Sequence, residues 1–176
     1  MTALPAAAAR FVLAGTAAAH DYHVGADGAY AAALDAIATA RAAGAGIEIE
    51  TPLSRSTYRL LAAMPAELRA RGAARWRLRV LSDTDVDDAS RARLVPRLAM
   101  ALPHALHAAT RAQRAGLPTV IVDAPRCLLG TLAEVGVVER ERGHPAPCLT
   151  CTVRPACAGV DPGYVARFGT DELRPR

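Results

Sequence analysis

Apolar and polar positions along the chain alternate between two periods. "RFVLAG" (10–15) predicts a strand, followed by a loop, "TAAAHDYHVG". "AYAAALDAIATARAAG" predicts a helix, with Asp27 as its cap and Gly44 as its stop. "GIEIET" (46–51) predicts a second strand, and "YRLLAAMPAELRARG" a helix interrupted by Pro65. "RWRLRVL" (75–81) is a third strand. The helical stretch "RARLVPRLAMALPHALHAATRAQRAG" is kinked or split at Pro96 and Pro103, because proline lacks the helical N–H and clashes with the preceding turn. "LPTVIVD" (117–123) is the fourth strand. Strands alternating with helices of this length predict βαβ units around a parallel sheet.

The strands carry a second message. A parallel sheet covered on both faces has nearly continuous apolar strands, and these alternate. Ile47 and Ile49 fall on one face, Glu48 and Glu50 on the other. Trp76, Leu78 and Val80 share a face opposite Arg75, Arg77 and Arg79. If the two strands are neighbours, Glu48 and Glu50 lie on the same side as Arg77 and Arg79. Helices on one face and a polar surface on the other fit the wall of a partial (β/α) barrel. They fit a two-layer domain with one solvated face equally well.

Composition narrows the class. Of 176 residues, 52% are apolar and only 4% aromatic, so Leu, Val, Ile and Ala must build the core of an ordered domain. All 21 basic residues are arginine, a sign of compositional bias that weakens any inference from arginine abundance. A net charge of +4 permits nucleic-acid binding, yet the arginines are spread out and no aromatics interleave with them, which argues against it. The segment "MTALPAAAARFVLAGTAAAHD" lacks the basic start of a signal peptide and places Arg10 inside the apolar run. No stretch approaches the roughly 18 apolar residues of a membrane span. The expectation is a soluble, cytoplasmic protein whose cysteines are not paired in disulfides.

Those cysteines are the strongest chemical signal. Cys148, Cys151 and Cys157 follow a C-x2-C-x5-C spacing, Cys127 lies upstream, and the first 126 residues contain none. A C-x2-C turn brings two thiolates to one metal or cluster corner, and four thiolates suit either tetrahedral zinc or a 4Fe–4S cluster. Soft sulfur donors disfavour magnesium and calcium. The surrounding segment, rich in proline and glycine, is a poor core former that a metal crosslink would organise.

"HPAPCLTCTVRPACAGVDPGYVARFGTDELRP", preceded by "APRCLLG", resembles the C-terminal extension of radical S-adenosylmethionine proteins, similar to the twitch and SPASM modules. "HDYHVGADGAYAAALDAIATARAAGAGIEIETPLSRSTYRLLAAM" with "RWRLRVL" resembles the second half of the radical SAM partial barrel. The resemblance implies residues 1–125 as a partial barrel-like α/β domain and 126–176 as a cysteine-rich module. It also implies an auxiliary 4Fe–4S cluster on Cys127, Cys148, Cys151 and Cys157. The family's C-x3-C-x2-C loop and the glycine-rich stretch that contacts the cofactor are absent from this sequence. Radical chemistry by this chain alone is therefore not expected. S-adenosylmethionine would enter only with a partner supplying the missing half; a homo-oligomer is the other partner expectation. A truncated or degenerate relative is a further reading. The expected role is electron transfer or substrate positioning; the alternative is a zinc-stabilised binding module without redox or catalytic role.

Weaker candidates complete the reading. Thr51, Ser54, Arg55 and Ser56 follow the second strand, a level that faces the cofactor in the resembling family. His20 and His23 are expected in a loop after the first strand, where α/β folds place ligands, although solvated loop histidines are commoner. His104 and His107 are three apart on a helix, with no third ligand nearby. Asp83, Asp85 and Asp87 imitate a calcium loop, but its central glycine and final glutamate are missing, which favours a polar turn capping the next helix. No nucleophile elbow, Walker loop or dinucleotide fingerprint occurs.

Overall fold

Alternation of isoleucine with glutamate and of arginine with leucine builds the central strands of a parallel sheet. The computed structural model describes residues 8–176. The opening "MTALPAA", on which part of the signal-peptide reading falls, lies outside the described residues. The strands are β1 (Ala8–Val12), β2 (Gly46–Leu53), β3 (Ala73–Val80), β4 (Thr119–Val122) and β5 (Gly136–Val137). They pair in parallel in sequential order, β1-β2-β3-β4-β5. The chain is thus an α/β protein with a five-stranded parallel sheet. The fifth strand, two residues long, carries too little pattern to be read from sequence.

The helices are α1 (Ala17–Val24), α2 (Ala29–Ala42), α3 (Met64–Ala70), α4 (Asp88–Leu94), α5 (Leu98–Arg114) and α6 (Pro162–Phe168). Ile47, Ile49, Trp76, Leu78 and Ile121 enter one core with Ile37 of α2, Leu68 of α3 and Leu98 and Leu102 of α5. Among the described residues, no helix is long and apolar enough to cross a membrane.

Several local expectations need correction. The stretch expected as a loop after β1 is helix α1, so His20 and His23 sit on a helix. Asp27 does not cap α2; Gly28 occupies that position. The orphan donors of the helix start turn to Asp21 instead, which accepts from Gly28 N–H at 2.9 Å and Tyr30 N–H at 2.7 Å. Those backbone donors hold the Asp21 carboxyl below its ordinary range. Pro65 does not interrupt α3 but lies in its first turn, where the missing N–H has no partner to lose. Pro96 separates α4 from α5, whereas Pro103 lies inside α5. Burial of Ala101, Leu102, Ala105, Ala108, Ala109 and Ala112 on one side of that helix outweighs the lost hydrogen bond.

The polar face is filled with charge. Arg77 Nε lies 3.4 Å from Glu48 and 3.1 Å from Glu50, and Arg79 Nε 2.8 Å from Glu50, so the four residues share one face as the alternation predicts. Arg10 reaches Glu48 at 2.7 Å from β1. Glu139, just beyond β5, meets Arg77 at 2.5 Å and Arg79 at 2.7 Å. Arg77 Nη2 makes that 2.5 Å ion pair without hydrogen-bond geometry, so its charge is matched while its N–H is not directed at an acceptor.

Candidate metal centre

Three segments deliver the four thiols. Cys127 lies in a 3₁₀ turn, Arg126–Leu128, directly after the end of β4. Cys148 closes a second 3₁₀ turn, Ala146–Cys148, and its carbonyl accepts from Cys151 N–H at 3.2 Å, folding the C-x2-C segment on itself. Cys157 follows a third, Arg154–Ala156. Pro147 and Pro155 begin the latter two turns, where their fixed φ costs nothing. The proline content that makes this segment a poor core former therefore sets the direction of its cysteines.

All four thiols line one cavity, whose space between atoms is about 310 Å³ including its opening to solvent. All four are free thiols. Three of the sulfurs accept backbone N–H groups: Cys157 from Arg126 at 3.3 Å and Gly159 at 3.4 Å, Cys127 from Arg174 at 3.5 Å, and Cys151 from Arg176 at 3.4 Å. Burial pushes the thiols of Cys127 and Cys148 above their ordinary range, with the neighbouring cysteines adding to the effect. The Arg176 N–H pulls that of Cys151 below it. Such N–H donors favour thiolate, the form that ligates metals.

The walls are tied to the sheet. Gly143 and Val160 form an antiparallel bridge, with Val160 N–H donating to Gly143 at 2.8 Å and Arg142 N–H to Ala158 at 2.7 Å. Gly159, at φ +76°, makes this approach possible: a Cβ there would lie 2.5 Å from the Gly143 carbonyl oxygen. Asp161 caps α6 by accepting from Gly163 N–H at 2.8 Å, and it also accepts from Ser82 Oγ at the end of β3. Tyr164 of α6 accepts from Leu98 N–H at 2.7 Å, at the start of α5.

The cavity brings together every cysteine that the spacing singled out. The other candidates lie elsewhere. Thr51 is fully buried, and its Oγ1 accepts from Trp76 Nε1–H at 2.9 Å. Ser54 is also fully buried, with its hydroxyl 2.8 Å from Ser56 and 3.1 Å from Thr57. Arg55 Nε donates to the Val95 carbonyl at 3.2 Å. His20 Nδ1 accepts from Ala14 N–H at 3.0 Å, pinning α1 to the chain after β1. His104 and His107 are exposed on α5. Asp85 completes a capping box with Ser82, and Asp87 caps α4 through Ser90 N–H at 2.8 Å, the helix-capping turn that the sequence favours over a calcium loop.

Two residues escaped the sequence reading. Asp123, fully buried at φ +59°, ends β4 and accepts from the N–H groups of Glu139 at 2.8 Å and Arg140 at 3.0 Å, and from Arg79 at 3.0 Å. Its one signal was a carboxylate directly after an apolar run. His144 lines the cysteine cavity, and as a single histidine outside the cysteine spacing it carried no signal. Among the described residues, no three His, Cys, Asp or Glu side chains are arranged to hold a single metal ion. No protein-family model matches the chain, and a search of curated proteins gives no match.

Proposed function

We propose that the chain is an iron–sulfur protein of radical-SAM type, in which Cys127, Cys148, Cys151 and Cys157 hold an auxiliary 4Fe–4S cluster. The observation that carries this reading is the convergence of all four cysteines, from three segments, on one cavity. The donor set fits: four sulfurs, with backbone N–H groups directed at three of them, are the ligands and hydrogen bonds such a group takes. A single zinc would need them drawn in to Zn–S bonds of ~2.3 Å, and no three ligands among the described residues are so arranged.

When bound, a 4Fe–4S group supplies one-electron redox chemistry. The chain's own contribution is to hold and tune it. Burial of Cys127 and Cys148 toward the core lowers the local dielectric, and the donors from Arg126, Gly159, Arg174 and Arg176 stabilise negative charge on sulfur. Arg154 lines the cavity and the Arg176 charge acts on Cys151, and among the described residues neither side chain is paired with an acid. That positive surround suits electron exchange with an acidic partner.

We read the sheet as part of a barrel wall. Sequential parallel strand order and an ion-paired polar face opposite the helix-covered face support this reading. On it, the polar face turns toward a partner chain that completes the barrel and carries the catalytic cluster, or toward a second copy in a homo-oligomer that lacks that cluster. The cysteine module then serves electron transfer or substrate positioning.

Anaerobic purification with assays of iron, acid-labile sulfide and zinc tests the reading. About four irons and four sulfides per chain, with a broad band near 400 nm, are expected of a cluster on four thiolates. One zinc and no sulfide would replace the reading with a zinc-stabilised binding module.

A further inference from the structure

The cavity has a fifth polar group. Among the described residues, three buried side-chain nitrogens lack a hydrogen-bond partner: His23 Nδ1, Arg77 Nη2 and His144 Nε2. Arg77 Nη2 is ion-paired with Glu139. Of the two histidines, only His144 lines the cysteine cavity. Buried polar atoms are nearly always satisfied, because a desolvated nitrogen without a partner opposes folding. An unsatisfied one beside four thiols marks a position where a bound group would complete its bonding.

The backbone holds His144 firmly in place. On its N-terminal side, Gly143 is bridged to Val160, and Arg142 N–H is bonded to Ala158. On its C-terminal side, Pro145 leads into the turn Ala146–Cys148, and the Pro145 carbonyl accepts from Cys148 N–H at 2.7 Å. The same short segment therefore positions His144 and the first cysteine of the C-x2-C pair.

We infer that His144 Nε2 is a hydrogen-bond donor to the inorganic group that the four cysteines hold, and so sets its reduction potential. This rests on the iron–sulfur reading. A neutral imidazole carries one N–H and needs no change of charge to play this part. Donation to a sulfide or thiolate sulfur stabilises the more negative, reduced state, so the potential rises with the bond and falls without it.

The test uses the anaerobically purified full chain, with His144→Leu and His144→Gln variants. Iron and sulfide assays on the wild type come first, since absence of either overturns the iron–sulfur reading itself. With the cluster present, His144→Leu should retain its iron and titrate at a more negative midpoint potential. His144→Gln, which keeps an amide donor, should recover part of the shift. An unchanged potential in His144→Leu overturns the role of His144 and leaves the cluster reading standing. Should His144→Leu fail to fold, pulsed EPR of the reduced wild type labelled with ¹⁵N-histidine decides. A ¹⁵N coupling to the cluster supports the contact, and its absence overturns it.

Discussion

Arg79 grips Glu50 with two nitrogens, Nε to Oε1 at 2.8 Å and Nη2 to Oε2 at 3.0 Å, across the β2–β3 pair. The same guanidinium reaches Asp123 at 3.0 Å and Glu139 at 2.7 Å, so one side chain ties β2, β3 and the end of β4 to the segment after β5. Its proton is held more tightly than in water, mainly by the hydrogen bond to Glu50. Bidentate geometry of this kind is specific to arginine.

Removing that side chain leaves Asp123 and Glu50 inside the protein without their main counter-charge. Arg79→Met should cost about 3 kcal/mol of unfolding free energy, the scale for breaking a largely buried pair. Urea unfolding should show the midpoint falling with its slope unchanged. A loss below about 1 kcal/mol, typical of a solvated pair, would mean that this face is open to water.

Trp76 is the only tryptophan and is fully buried, with its indole N–H on Thr51 Oγ1. Thr51→Val keeps the shape and deletes the acceptor, so it should cost about 1–3 kcal/mol. Tryptophan fluorescence should follow both the unfolding and the altered surroundings of the indole. Unchanged stability would mean that Nε1 has another acceptor.

On the proposed reading, order in the C-terminal segment should depend on what its cysteines hold. If Cys151 helps hold a cluster, Cys151→Ser should loosen residues 144–176 while sparing the sheet. The Arg176 N–H bond to its sulfur and the fold of the C-x2-C turn both lose their anchor. Trypsin, which can cut after Arg142 and Arg167 but not at the Arg154–Pro155 and Arg174–Pro175 bonds, should release peptides from this end first. Equal protection in mutant and wild type would sever the link between ligation and order.

His20 and His23 predict a response to acid. Burial is the main cause that lowers both imidazoles from 6.5; for His20, Asp21 acts in the opposite direction, and for His23, His20 and Arg93 lower it further. The unfolded chain therefore takes up protons before the folded one does. Stability conferred by the neutral forms is complete above the unfolded value, falls as pH drops below 6.5, and levels off below the folded values. Thermal melts between pH 7.5 and 5 should show this decline. The double variant His20→Gln, His23→Gln should be less stable at pH 7.5 but flatter across the range. A parallel decline in the variant would place the acid response in the carboxylates.

Much of the site and sheet was legible because local pattern and tertiary environment agree there. Period-two alternation of Ile47, Ile49, Trp76 and Leu78 with Glu48, Glu50, Arg77 and Arg79 determined two faces, since neighbouring side chains on a strand must point apart. The spacing of Cys148, Cys151 and Cys157 determined that two thiols would meet in one turn. The sequence could not decide what long-range packing decides. Residues 17–24 were the exception: three alanines favour a helix there, and His20 on Ala14 N–H and Asp21 on Gly28 and Tyr30 N–H anchor it by short-range contacts that the loop expectation overlooked. Thr51 faces the core by the same alternation as Ile47 and Ile49, but its hydroxyl found Trp76 Nε1–H only through the pairing of β2 with β3. Asp123 became the junction of β4 with the chain beyond β5, and His144 entered the cysteine cavity, only once segments far apart in sequence had packed together. Periodicity reports which face a side chain takes; which partner it finds is set by closing loops across the fold.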